Sequence, residues 1–155
     1  MTDMTHPPAF GDQRDMLIAF NNLQRQSMLW KLEGLSDQQL RSKHQSSGMS
    51  LLGLLKHLIR VEQTWFQERL AGEPSNGGPN DDDAWSPTPG ETFEVLADQY
   101  RKAYTRSNEI ASTMPLDQMT LTPGSSGKNV TLQWVMFHML EETARHLGHA
   151  DIIRE

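Results

Sequence analysis

No cysteine occurs among the 155 residues. That excludes a disulfide framework, a thiolate metal site and a thiol nucleophile supplied by the chain itself. Basic residues are also scarce: 14 Lys and Arg stand against 20 Asp and Glu, a formal charge of −6. An electrostatic nucleic-acid binder needs a basic stripe to displace counterions, so that class is excluded. No run approaches the roughly 20 apolar residues of a membrane span. The opening "MTDMTHPPAFGD" lacks the basic start and apolar stretch of a signal peptide. The expectation is one cytoplasmic domain over 1–155, off the membrane, with 1–11 as a flexible N-terminal arm. A chain of this length can bury its own core. Any metal it holds must sit on nitrogen and oxygen ligands.

What is present is helical periodicity. One segment runs from about Asp12 to Glu33 and stops at Gly34. Ser36 and Gln39 have capping-box spacing, which predicts a short turn over 36–41. Ser50 can cap "LLGLLKHLIRVEQTWFQERL", which stops at Gly72 and Pro74. The following stretch, about 73–90, is dense in Gly, Pro, Asn and Asp and reads as a long loop. Thr88, Pro89 and Glu91 are candidate caps for a third helix ending before Pro115, and Thr131 for a fourth reaching about Arg154. Period-two alternation is absent. The fold class predicted is all-α, a four-helix bundle with a long loop between the second and third helices.

Helical spacing then sorts the ionisable residues. In the second helix Leu51, Leu54, Leu55, Leu58, Val61, Trp65 and Phe66 share one face, with Glu62 near its middle and His57 at its edge. Lys56, Arg60, Gln63 and Gln67 fall on the side expected to meet solvent. In the fourth helix Glu142 and His146 lie one turn apart towards the apolar side, His138 and His149 lie nearby, and Glu141 and Arg145 point to solvent. Singly, such residues read more readily as surface pairs or hydrogen-bonded core histidines, and "DDDAW" as a solvated charge run. In combination, His57, Glu142 and His146 offer three N/O ligands. That is the number a catalytic zinc-type site uses while leaving a position open for water or substrate. Glu62, His149 and His138 become reserve ligands or groups that orient a ligand from behind. Trp65 and Trp85 are candidate walls of a substrate pocket.

Three stretches, "MLWKLEGLSDQQLR", "GMSLLGLLKHLIRVEQTWF" and "TLQWVMFHMLEETARHLGHADIIRE", resemble the DinB/YfiT-like superfamily of metalloenzymes, in particular an actinobacterial-type branch of it. The resemblance implies a four-helix bundle carrying a divalent metal, zinc or nickel, on one histidine of the second helix and two residues four apart in the last. Those positions fall on His57, Glu142 and His146. Glu142 departs from the all-histidine version and matches the His/Glu/His set of the related mycothiol-dependent maleylpyruvate isomerases. Those isomerases carry a further C-terminal domain that does not follow here, so their reaction is not expected.

The resemblance further implies a low-molecular-weight thiol as cosubstrate (mycothiol, bacillithiol or glutathione), activated as a thiolate and passed to a small electrophile. That role suits a chain with no thiol of its own. Two other functions fit the same residues. One is metal-dependent hydrolysis of a small molecule by a bound water; the other is a non-catalytic, stress-related metal-binding protein. The first helix spreads Met16, Ile18, Phe20, Leu23, Leu29 and Trp30 widely around its circumference, which points to a homodimer surface.

Overall fold

A computed structural model describes residues 4–74 and 76–155, leaving the first residues of the expected arm and Ser75 of the expected loop outside the described residues. The chain is all-helical. Five helices, α1 (Gln13–Leu32), α2 (Asp37–Arg41), α3 (Leu51–Glu62), α4 (Phe93–Thr113) and α5 (Leu132–Arg154), are joined by a π-helical stretch at Gln63–Leu70 and a 3-10 turn at Asp82–Trp85. No β-strand forms among the described residues; the nearest approach is an isolated antiparallel bridge, Met119 with Thr131.

Local chemistry sets most boundaries. Ser36 and Gln39 form the reciprocal capping box that starts α2, Ser50 accepts from the Gly53 N–H to start α3, and Thr131 accepts from Trp134 to start α5. The start of α4 differs from expectation. Thr92 is its cap, while Glu91 turns back to accept from the Thr88 N–H at 2.7 Å. Past Glu62 the hydrogen bonding loosens, with the Ala71 N–H reaching the Phe66 carbonyl five residues back.

The four long helices pack around two apolar clusters. Met28, Leu32, Leu54, Leu58, Leu96 and Tyr100 belong to one; Leu17, Phe66, Ile110, Val135 and Met139 belong to the other. In α1 and α5 the chain passes from the second cluster to the first, and in α3 and α4 from the first to the second. α1 and α5 therefore run parallel to each other and antiparallel to α3 and α4. Two links agree: Arg14 donates to the Ala111 and Met114 carbonyls, and Arg154 donates to the Lys31 carbonyl. Because α3 and α4 are parallel, the segment between them must travel back along α3. On the way it lays the 3-10 turn against the first half of that helix.

A polar layer separates the clusters. The Arg25 guanidinium donates to both oxygens of Glu62, at 2.6 and 2.9 Å, and the Ser107 hydroxyl donates to the same carboxylate at 2.6 Å. Arg25 and Glu62 are almost wholly excluded from solvent, at 1% and 0% exposure. Glu62 was expected to support a metal ligand. Its carboxylate is instead committed to Arg25 and Ser107, because a charge on an apolar face needs a fixed counter-charge.

Removing one member of such a pair strands the other. We expect Glu62→Ala to lower stability by about 3–5 kcal/mol, read from urea denaturation, with Arg25→Met/Glu62→Leu recovering most of the loss. Equal stability of the single and double variants would argue against the pair's role.

Candidate metal centre

α3 delivers His57 from its buried side, and α5 delivers Glu142 and His146 from successive turns. One ligand atom from each lies within 4.8 Å of the others. Glu142 Oε1 is the hub, 3.2 Å from His57 Nε2 and 3.0 Å from His146 Nε2. The His57 ring is also held at its other nitrogen, with Nδ1 2.8 Å from the Pro79 carbonyl.

The Pro79 contact constrains protonation. A carbonyl only accepts, so Nδ1 carries the hydrogen, and Nε2 of the neutral ring is left with a lone pair. That lone pair faces a carboxylate oxygen. Two acceptors at this separation need a cation between them, either a proton that makes His57 an imidazolium or a metal ion. At His146 no contact fixes the tautomer, since its Nδ1 is buried without a hydrogen-bond partner among the described residues, and its Nε2 can either donate to Glu142 or accept an ion. The set therefore fits a divalent cation on chemical grounds: two imidazoles and a carboxylate converge, and one imidazole is fixed in the ligating tautomer by a backbone carbonyl. Hydrogen bonds from His146 and then His57 outweigh burial and hold the Glu142 carboxyl well below the usual carboxylate range.

Trp85 forms the roof. Its indole stacks on the His57 imidazole with ring centres 3.7 Å apart and planes 15° from parallel, and it meets His146 edge-on. The 3-10 turn that presents it is clamped twice. Lys56 Nζ donates to the Ser86 carbonyl at 3.2 Å and to Glu91 at 2.9 Å. A Cβ at Gly53 would lie 2.5 Å from the Trp85 carbonyl oxygen, so only glycine allows the turn to sit this close. Lys56, expected in solvent, is thus buried by the segment it anchors. In "DDDAW" the three aspartates are exposed, as expected of a solvated charge run, while Asp83 pairs with Arg60 at 3.2 Å and Ala84 is fully buried.

A cavity of about 290 Å³ opens beside the triad, and Asn80, Trp85, Arg145 and His149 complete its wall. Among the sequence candidates, His149 reaches this cavity, its ring 6.2 Å from that of His146. His138 does not. It stacks on Trp134 and meets Trp65 edge-on, at 4.9 and 5.1 Å between ring centres. Trp65 is buried in that aromatic group under the Arg69 guanidinium and takes no part in the cavity wall. Arg145, assigned to solvent, is exposed but lines the mouth. Sequence reasoning missed Pro79, Asn80 and Lys56. The one available signal was Gly53, a glycine inside a helical pattern, which often marks a close approach of backbone.

A model of the mycothiol-S-transferase family matches residues 16–155. No curated protein matches the chain.

Two measurements follow from this geometry. Gly53→Ala should force the turn outward, at a cost of about 1–3 kcal/mol. The His57 Nδ1–H proton should then exchange faster by NMR; unchanged exchange would show that the turn does not hold the ring. For Glu142, the folded pKa is depressed, so its contribution to stability is fully present above the ordinary value of 4.5 and is lost as pH falls towards the folded pKa. Metal-free wild type should therefore lose more stability between about pH 5 and 3 than Glu142→Gln does, by urea midpoints. Parallel losses would place Glu142 outside the ion-pair network.

Proposed function

The chain belongs to the mycothiol-S-transferase family, within the DinB/YfiT-like superfamily, and we propose that it is a metal-dependent S-transferase joining a low-molecular-weight thiol to a small electrophile. The observation that carries this reading is the Glu142 oxygen set between two imidazole Nε2 atoms, one of them fixed as an acceptor by Pro79. His57, Glu142 and His146 are the residues that would hold the ion, zinc or nickel. A divalent cation there supplies Lewis acidity that keeps a thiol ionised at neutral pH.

The chain's own groups do the rest. The Pro79 carbonyl orients His57, and Trp85 shields its ring from water. Glu142 contributes a negative charge that tempers the acidity of the site relative to three neutral imidazoles. With no cysteine in the sequence, the sulfur must arrive with a cosubstrate, and the family description favours mycothiol over bacillithiol or glutathione. The electrophile enters from the mouth at Asn80, Arg145 and His149.

We further read 1–155 as one DinB-type four-helix-bundle domain working in the cytoplasm as a homodimer. The exposed Phe20 and Trp30 of α1 and Trp134 and Phe137 of α5, each 39–50% accessible, offer apolar surface for the subunit contact.

Protein purified without chelators should contain close to one equivalent of zinc or nickel, and His57→Ala and His146→Ala should each retain less than about a tenth of that. Unchanged metal content in both variants, by elemental analysis, would overturn the assignment. A panel of thiols separates transfer from hydrolysis, because turnover that proceeds equally without thiol belongs to a hydrolase.

A further inference from the structure

Between α1 and α4 lies a hollow of about 200 Å³ that shares no lining residue with the triad cavity. Gln26, Trp30 and Glu33 line it at one-turn spacing along α1, and Phe93, Arg101 and Tyr104 line it from α4. Two of its rings are braced. Trp30 carries Lys31 Nζ 5.3 Å from its ring centre, and Lys31 is held in turn by Asp151 at 2.6 Å. Tyr104 meets the buried Tyr100 edge-on at 5.3 Å, and the Arg25 guanidinium lies 5.6 Å from its ring centre. The polar groups, in contrast, are uncommitted. The side chains of Gln26, Glu33, Arg101 and Tyr104 make no hydrogen bond with another described residue. Among the described residues Glu33 and Arg101 form no ion pair either, even with each other. Elsewhere on α4 exposed charges do pair, Lys102 with Asp98 at 2.8 Å and Arg106 with Glu109 at 2.9 Å.

We propose that this hollow is a second binding site, independent of the S-transferase reading, for a small zwitterion with a flat ring, the chemistry of an aromatic amino acid. The lining selects that class. Arg101 offers a planar, doubly donating partner to a carboxylate. Glu33 and the Gln26 amide oxygen accept from an ammonium group. Trp30, Phe93 and Tyr104 receive the ring edge-on or in offset stacks, the arrangements aromatic groups prefer. Every simpler ligand leaves part of the wall unmet. A net anion faces the Glu33 carboxylate, a net cation faces the Arg101 guanidinium, and an uncharged ring engages neither. The volume also falls below the roughly 300 Å³ at which sites for drug-sized ligands begin, so the occupant is a small molecule. Both charges stand at exposed positions. Water screens them, and they contribute selectivity more than affinity.

The test titrates the full chain with L-phenylalanine, followed by the Trp30 indole N–H in NMR spectra and assigned with Trp30→Phe. The expected dissociation constant is on the order of 1 mM or below. L-Alanine, without a ring, 3-phenylpropionate, without the ammonium, and 2-phenylethylamine, without the carboxylate, should each bind about threefold or more weakly. Two variants at exposed positions then assign the charges. Arg101→Gln should weaken phenylalanine about threefold and leave phenylethylamine unchanged, and Glu33→Gln should weaken phenylalanine similarly and leave phenylpropionate unchanged. Equal affinity for all four probes, equal affinity of wild type and both variants, or a Trp30 signal that does not move overturns the site. If a second copy fills the hollow instead, Trp30→Ala changes the sedimenting mass while phenylalanine fails to bind the wild type, and that result also overturns it. No arm of the test requires turnover, so it stands apart from the metal and thiol measurements.

Discussion

The Arg25–Glu62 pair sets the register on which the site depends. It joins α1 to α3 at one height, and Asn21, one turn earlier on α1, donates its amide to the Met136 carbonyl of α5 at 3.0 Å. α3 and α5 are thus each fixed axially against α1. His57 stands five residues before Glu62, and Glu142 six after Met136, so the height at which they meet follows from those two contacts. A slip of α3 by one turn would carry His57 about 5 Å from the Glu142 oxygen. The apolar clusters above and below supply most of the burial. Being non-directional, such burial cannot choose the register by itself.

Two buried or half-buried carboxylates occupy similar places on amphipathic helices and have opposite fates. Glu62 is closed, with its oxygens taken by a guanidinium that never gives up its proton and by a hydroxyl. Glu142 is open, since both of its partners are imidazoles that can exchange a proton for a metal ion, and its side chain keeps 23% exposure at the edge of a cavity. The difference between a closed and an open carboxylate here lies in the partner, not in the carboxylate.

That distinction marks what the sequence could reveal. Glu142 and His146 were legible because their spacing is local, and His57 because it stood on the edge of an apolar face. The caps at Ser36, Ser50 and Thr131 were legible for the same reason, each bond spanning three residues. Arg25 could not be matched to Glu62 across 37 residues, and periodicity placed Lys56 in solvent without knowing that the 71–92 segment would return over it. The stacking of Trp85 on His57 and the Pro79 hydrogen bond come from that same return. His138 was misplaced because α5 has aromatic company on its outer face, with Trp134 one turn away.

The triad is assembled from pieces with unequal loop lengths. His57 meets Pro79 across 22 residues, and Glu142 only across 85. Closing the shorter loop costs less chain entropy, so the roofed imidazole is the more local part of the site and the contact with α5 the more distant one. α5 itself packs chiefly against α1, so the triad spans the seam between that pair and α3 with its returning segment. Any ion gripped by all three ligands would act as a rivet across that seam, so that α5 could part from α3 only by giving up the ion.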